Sequence, residues 1–242
     1  MTDKNVIQTK LSEIKQNIAE SALKSGRDPD AIRLMAVTKT KPAETVQTLI
    51  DLGVTEIGEN YPDETLEKRA VFDAAPETVR LNMIGHCQSR KIKIVAELFD
   101  CFQSLDSLET GLKLNQALRK NGKVMPVLIE LNVGAETSKM GWPLDGAVLT
   151  EQFYSDFEKL QTCSQLKIEG LMTLPPFTEV ENAEDNRRYF ANLRNVLEQL
   201  NVRYGTRMHE LSMGTSNDYR VAIEEGATCV RIGTSLVGPR EK

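Results

Sequence analysis

The segment Arg33–Pro42, with the sequence RLMAVTKTKP, decides the fold and locates the chemistry of this chain. Its apolar part, Leu34–Val37, is a short run bounded by two lysines and a proline, which is typical of a strand buried on both faces. Pro42 suits the first turn of a following helix, because its ring fixes φ and it has no amide hydrogen to leave unpaired. Lys39 therefore lies at the carboxyl end of a strand, where parallel α/β folds place their chemistry.

The same alternation of strand and helix continues along the chain. The pattern predicts strands at residues 34–37, 55–60, 81–86, 102–104, 125–133, 168–172, 210–214 and 228–233. Helical spacing predicts helices at residues 6–25, 61–72, 105–120, 145–162, 183–200 and 217–225. Eight strands alternating with helices match the length of a (β/α)8 TIM barrel, which needs about 250 residues. An open doubly wound sheet is the competing arrangement. No linker or break in composition divides the chain, so we expect one domain over residues 1–242.

Composition excludes several classes of protein. The chain has 242 residues and a formal net charge of −5, which argues against nucleic acid as a main partner. No apolar run approaches the ~18 residues of a membrane span. The segment Met1–Asn5 has no apolar signal core, so we expect a cytoplasmic protein. The cysteines form no C-x-x-C pair and have no ligand-spaced histidine, which predicts buried reduced thiols and no metal site. They are Cys87, Cys101, Cys163 and Cys229.

The last two predicted strands both end in small, hydroxyl-bearing residues. Ser212–Ser216 (SMGTS) follows one strand, and Gly233–Ser235 (GTS) follows the other. Barrels often bind phosphate at this edge, through backbone N–H groups that glycine leaves accessible. The pattern therefore predicts a phosphate site over these two segments. Position alone favours a phosphate site and ordinary turn or cap residues about equally.

Lys39 and Arg231 add the remaining parts of a cofactor site. Burial lowers the pKa of a lysine, and a neutral amine can form a Schiff base with an aldehyde. Lys41, two residues on, is expected to face solvent or a helix. Arg231 lies within the last strand, where a guanidinium is costly unless it meets a ligand or an acid. Together with the phosphate site, these residues indicate pyridoxal 5′-phosphate (PLP), with its aldehyde on Lys39 and its ring nitrogen at Arg231. An always-charged arginine would keep that nitrogen unprotonated and weaken the ring as an electron sink.

Four other residues are weaker candidates. His86 follows a predicted strand and is either an acid/base group or a loop histidine. His209 is expected at the opposite face of the barrel, in a structural role, and Trp142 is expected to cover a loop. Asn60 either contacts the ring of the cofactor or caps the helix that follows it.

Six motifs resemble those of the pyridoxal phosphate homeostasis protein family (the YggS/PROSC family), in order over residues 30–238. They are AVTKTKP at 36–42, GENY at 58–61, IGHCQSRK at 84–91, GLMT at 170–173, LSMG at 211–214 and VRIGT at 230–234. The resemblance implies one (β/α)8 barrel of the alanine racemase N-terminal type, the fold type III of PLP proteins. It also implies that Lys39 is the Schiff-base lysine. The phosphate ligands it suggests are Ser212, Gly233 and Thr234, and the ring neighbours are Asn60, Met213 and Arg231.

The resemblance also implies a function. Members of the family are regarded as cofactor carriers that keep vitamin B6 and amino-acid pools balanced, and no catalytic activity is established for them. PLP is then the ligand, PLP-dependent apoenzymes are the suggested partners, and we expect a monomer.

The chain departs from the usual family pattern at several places. Leu81–Asn82 stands where the family commonly has an aromatic residue followed by histidine. Cys87 replaces an aliphatic residue, Thr38 a serine and Thr215 a methionine. Residues 134–139 (GAETSK) are a looser version of a serine-lysine loop.

Two functions stay open at this point. The first is a non-catalytic protein that stores or delivers PLP, and the second is a racemase or decarboxylase of fold type III. Those enzymes carry a second, mostly β domain that supplies catalytic groups across a dimer, and no such segment follows Arg240. Without a second acid/base residue, a racemase would protonate a carbanion efficiently from one face only. We therefore expect a regulator rather than an enzyme.

Overall fold

Ten strands are present in the computed structural model, which describes residues 4–134, 136 and 139–239. They are β1 Arg33–Val37, β2 Glu56–Glu59, β3 Arg80–Met83, β4 Cys101–Leu105, β5 Met125–Asn132, β6 Trp142–Asp145, β7 Val148–Leu149, β8 Leu166–Met172, β9 Glu210–Ser212 and β10 Cys229–Ile232. Eight of them, all but β6 and β7, form a series of parallel pairs in which each strand pairs with the next of the eight along the chain. Pairing of β4 with β5 and of β10 with β1 closes the ring. The predicted (β/α)8 barrel is confirmed, and the open sheet is excluded.

Helices cover the outside of the barrel. They are α1 Lys4–Lys24, α2 Ala43–Asp51, α3 Pro62–Glu67, α4 Arg69–Asp73, α5 Ile92–Leu98, α6 Leu108–Asn121, α7 Glu151–Gln161, α8 Arg187–Tyr204, α9 Tyr219–Glu224 and α10 Thr234–Val237. The apolar core lies between their inner faces and the outward side chains of the strands, as with Phe102, Leu114 and Phe157. None of the described helices combines the length and the apolar character needed to cross a membrane. The four cysteines are buried and unpaired, as predicted.

Two predicted helices are wrong in part. The helix expected at 145–162 begins only at Glu151, because β6 and β7 form a hairpin that turns at Gly146, where φ is +59°. The hydroxyl of Thr150 then accepts a hydrogen bond from the Phe153 amide and caps α7 (3.2 Å). The helix expected at 61–72 is divided into α3 and α4 at Lys68, whose side chain is buried. Helical spacing did not reveal either break, because apolar residues recur at helical spacing on both sides of each break.

The connection from β1 to α2 brings Lys39 to the carboxyl edge of the barrel. β1 ends at Val37, and the amide of Lys41 donates to the carbonyl of Thr38 (3.0 Å), which closes a four-residue turn with Lys39 at its second position. Pro42 is the N-cap of α2, with φ −68° and ψ 161°, one residue before the helix that it was predicted to start. The turn therefore places Lys39 at the edge where the other seven strands of the barrel also end.

Candidate functional site

A cavity of about 380 Å³ opens at the carboxyl edge of the barrel, where the sequence predicted the site. Five of the seven predicted site residues line it: Lys39, Asn60, Arg231, Gly233 and Thr234. Its apolar lining comes from residues that the sequence did not predict for the site: Val37, Ile84, Leu174, Phe177 and Val237. Five predicted residues therefore share one cavity, and no signal in the sequence indicated its apolar part.

Lys41 lies in the same cavity, so the prediction that it faces solvent or a helix is wrong. Its side chain is 5% exposed, and Nζ donates a hydrogen bond to the carbonyl of Pro239 (2.6 Å). The physical reason is that the chain beyond α10 passes close enough to Lys41 for the Pro239 carbonyl to accept from it. That long-range approach leaves no periodic signal near Lys41.

Arg231 is a buried cation whose hydrogen-bond acceptors are neutral. Its guanidinium is 4% exposed and donates to Ser212 Oγ and to the carbonyl of Thr173, each at 2.7 Å. Burial lowers the pKa of this guanidinium, and the negative charges of Asp218 and Glu130 oppose that change. A guanidinium in this position gains most from an acceptor supplied on its cavity side.

The hydrogen bonds behind Arg231 continue across the interior of the barrel. Ser212 Oγ donates to Gln103 Oε1 (2.7 Å), and Gln103 Nε2 donates to Asn82 Oδ1 (3.1 Å). Asn82 Nδ2 then donates to Glu56 Oε2 (2.7 Å). Every donor points away from the cation of Arg231 and toward the carboxylate of Glu56. The chain of bonds therefore fixes the orientation of each side group and stabilises both end charges.

Ser212 and Met213 are the two predicted site residues that do not line the cavity. The Ser212 hydroxyl lies beneath Arg231 and is used on both sides, as donor to Gln103 and as acceptor from Arg231. Met213 is fully buried and belongs to the main hydrophobic core. Direct contact of these two side chains with a ligand stays a prediction. The sequence did carry one signal for the chain of hydrogen bonds inside the barrel, namely polar residues within buried strands.

The two hydroxyl-rich segments meet at the other side of the cavity, as the sequence predicted. The hydroxyl of Ser216 accepts from the Ser235 amide (3.3 Å) and lies 3.0 Å from the Ser235 hydroxyl. Gly214 has φ +90°, and a Cβ there would lie 2.6 Å from that of Ala222, so only glycine fits. The amide of Thr215 donates a hydrogen bond to Asp218 Oδ1 (2.7 Å), which holds this residue in place. The result is a fixed cradle of hydroxyl and backbone groups around Gly233 and Thr234.

The side-chain oxygen of Asn60 is a buried hydrogen-bond acceptor. Its Oδ1 has no hydrogen-bond partner among the described residues. It does not cap α3, whose N-cap is Tyr61 without a side-chain bond, so that alternative is excluded. Gly85 packs against it so closely that a Cβ would lie 2.6 Å from the Asn60 carbonyl oxygen. A buried acceptor without a partner is costly, and a ligand donor in the cavity would satisfy it.

The other candidates lie apart from the cavity lining. His86 is half exposed, and its Nδ1 lies 2.5 Å from Asp106 Oδ2. His209 is exposed before β9, with Nε2 3.4 Å from a carboxylate oxygen of Glu210. Trp142 is buried and donates to Asp156 Oδ2 (3.1 Å). Trp142 therefore packs within β6 and does not cover a loop, and His209 lies before β9 at the opposite face of the barrel, as expected, while its structural role stays a prediction.

Glu130, on β5, is a titratable group that the sequence analysis missed. Burial raises the pKa of its carboxyl from 4.5 to about 7, and the charge of Asp106 adds to the rise. The positive charges of Arg231 and His86 oppose it. The only sequence signal was an acidic residue inside the clearest predicted strand.

Stability should depend on pH through Glu130. The folded chain keeps a proton on this carboxyl that the unfolded chain releases between pH 4.5 and about 7, so its contribution becomes more unfavourable as pH rises through that window. We expect Glu130→Gln to match the wild type near about pH 5 and to exceed its free energy of unfolding by about 2 kcal/mol near about pH 8. Urea unfolding at both pH values measures this difference. A gain that is equal at the two pH values would contradict the assignment.

Comparison with known proteins defines the class. The "Alanine racemase, N-terminal domain" family matches residues 9–241. An alanine racemase from Clostridium difficile has a TM-score of 0.71 at 16% identity, over 98% of this chain and 58% of that chain, which shows a shared fold. The protein is therefore a (β/α)8 barrel of the alanine racemase N-terminal type, as the resemblance implied.

Closer relatives define the family. A protein from Aquifex aeolicus is 36% identical over 96% of this chain and 97% of its own length. One from Escherichia coli is 35% identical over 98% of each. Both are named pyridoxal phosphate homeostasis protein. The chain belongs to the pyridoxal phosphate homeostasis protein family. The structure of PipY from Synechococcus elongatus, solved with PLP bound, has a TM-score of 0.76 at 29% identity, over 91% of this chain and 100% of that chain.

The looser serine-lysine loop is described only in part. Ala135, Thr137 and Ser138 lie outside the described residues. Lys139, which is described, donates to the carbonyl of Pro175 (2.9 Å) beside the cavity.

Proposed function

We propose that this chain binds PLP covalently through Lys39 and serves to store and deliver the cofactor. The observation that carries the proposal is the meeting of three chemical groups in one cavity. They are the amine of Lys39, the neutrally partnered guanidinium of Arg231 and the hydroxyl cradle around Gly233. The relatives named pyridoxal phosphate homeostasis protein, and the PLP held by PipY, support it.

The residues present fit PLP. Arg231 has neutral acceptors on its inner side and would donate to the unprotonated ring nitrogen on the other. Asn60 Oδ1, a buried acceptor with no partner in the described part of the chain, would accept from a hydroxyl on the ring. Thr234, with the backbone at Gly233 and the Ser216 side of the cradle, would hold the phosphate. When bound, PLP supplies an aldehyde that an amine can attack and a ring that withdraws electrons.

The side chains around the cavity favour binding of PLP over catalysis with it. A guanidinium does not give up its proton in a protein, so Arg231 would leave the ring nitrogen unprotonated. Its two partners, a hydroxyl and a carbonyl, offer no acidic proton in its place. His86, an available acid/base group, is bonded to Asp106 and does not line the cavity. We therefore propose a non-catalytic role, with PLP-dependent apoenzymes as recipients. An amino-acid racemase or decarboxylase is the second candidate, supported only by the shared fold.

A titration with PLP tests the proposal. The purified chain should develop a visible absorption band that saturates at one PLP per chain, and borohydride should convert it into an adduct on the Lys39 peptide. Racemisation and decarboxylation of amino acids should not exceed the rates of free PLP. Absence of a saturable band would refute the binding role, and turnover well above free PLP would refute the non-catalytic one.

A further inference from the structure

The turn that carries Lys39 is strained at the next residue. Thr40 has φ +62°, and it is the one non-glycine residue with positive φ in the described part of the chain. The third position of such a turn usually holds glycine or asparagine, because a Cβ is strained in the left-handed region. A β-branched residue there is an outlier that the surroundings must impose. The Thr40 hydroxyl is also buried, and it has no hydrogen-bond partner among the residues that the structure describes.

Two side chains from the α3 region hold this turn. The amide of Thr40 donates to Glu64 Oε1 (2.6 Å), and Lys68 Nζ donates to the same oxygen (2.7 Å). Lys68 Nζ also donates to the carbonyl of Thr38 (3.0 Å). One ammonium is thus tied to both sides of Lys39, to Thr38 directly and to Thr40 through Glu64.

Glu59, at the end of β2, anchors this ammonium from below. Its Oε1 accepts from Lys68 Nζ (2.8 Å) and from the hydroxyl of Thr38 (2.7 Å), and its side chain is fully buried. Burial raises the pKa of the Glu59 carboxyl, and Lys68 opposes the rise. The desolvation of a buried ion pair offsets much of its attraction, so such a pair contributes little net stability. The pair instead fixes the position of the Lys68 ammonium relative to Thr38.

We propose that Glu64, Lys68 and Glu59 are positioning residues for Lys39. They hold the left-handed backbone at Thr40 and so direct the Lys39 side chain into the cavity before a ligand arrives. The inference rests on the proposed role of Lys39 as the attachment point. None of the three lines the cavity, so their effect on a ligand passes through the turn.

Glu64→Ala tests this positioning role with little risk to the fold, because the Glu64 side chain is 24% exposed. Release of the strained turn should weaken PLP binding by about tenfold. It should also reduce the visible circular dichroism of bound PLP, which reports how rigidly the chromophore is held. Glu64→Gln keeps an acceptor for the Thr40 amide, and its affinity should stay within about threefold of the wild type.

A second change separates positioning from a general effect on the fold. Glycine adopts positive φ without strain, so adding Thr40→Gly to Glu64→Ala should restore both the affinity and the circular dichroism. A double variant as weak as Glu64→Ala would overturn the inference. Wild-type affinity and circular dichroism in Glu64→Ala would overturn it as well.

Hydrogen exchange of the PLP-free chain gives a readout that does not depend on the cofactor. The Lys41 amide, which closes the turn on Thr38, should exchange faster in Glu64→Ala and recover when Thr40→Gly is added. If the wild type takes up no PLP, the proposed function fails, and this exchange decides the positioning inference by itself. Unchanged exchange of the Lys41 amide in Glu64→Ala overturns it.

Discussion

Lys39→Ala is expected to reduce borohydride-trapped PLP to background. Lys39 is at the second position of a tightly held turn after β1, and it lines the same cavity as Arg231. An amine forms an imine only when it meets the aldehyde carbon unprotonated, and the other lysine of this turn, Lys41, donates to the carbonyl of Pro239. Mass spectrometry of the digested chain after reduction measures the adduct, which in the wild type should lie on the Lys39 peptide.

Lys41→Ala is the matched control for this result. Lys41 lines the same cavity but donates to the carbonyl of Pro239. We expect Lys41→Ala to retain a trapped adduct on Lys39, with any change limited to affinity. An adduct of undiminished yield on Lys41 in the Lys39→Ala chain would show that the cavity, and not this lysine, determines attachment.

The barrel was predictable because it depends on local pattern. Short apolar runs such as Leu34–Val37 and Met125–Val133, each followed by a helix, require a parallel sheet buried on both faces. Once the ring closes, every strand end reaches one edge, so Lys39 and Arg231 had to be neighbours of the hydroxyl segments. The position of the cavity therefore followed from chain order alone.

The interior of the barrel was not predictable in the same way. The Ser212 hydroxyl is an example, because it accepts from Arg231 and donates to Gln103, and no local pattern indicates either partner. Which polar side chains meet inside a barrel depends on the relative stagger of its strands, and a bulge in β4 shifts that register near Gln103. Lys41 was misplaced for a related reason, since its partner is nearly 200 residues away along the chain.

Lys68→Met should produce the largest loss of stability among the substitutions considered. Lys68 is 5% exposed and neutralises Glu59, which is fully buried, together with Glu64. Removing one partner of a buried ion pair leaves the other charge uncompensated, and the expected cost is about 3–5 kcal/mol in the free energy of unfolding. Glu59 must then either ionise without a partner or take up a proton. Because its folded-state pKa is already raised, the loss should grow as pH rises.

Two further variants make this prediction specific. Adding Glu59→Gln to Lys68→Met replaces the unpaired carboxylate with a neutral amide, so it should recover most of the lost stability and remove the dependence on pH. Lys113→Met breaks an exposed pair with Glu109 on α6 and should cost no more than about 0.5 kcal/mol. Urea unfolding measures all three. If Lys68→Met costs no more than Lys113→Met, the Glu59–Lys68 pair is not a buried charge pair in solution, and the turn around Lys39 must be held by packing alone.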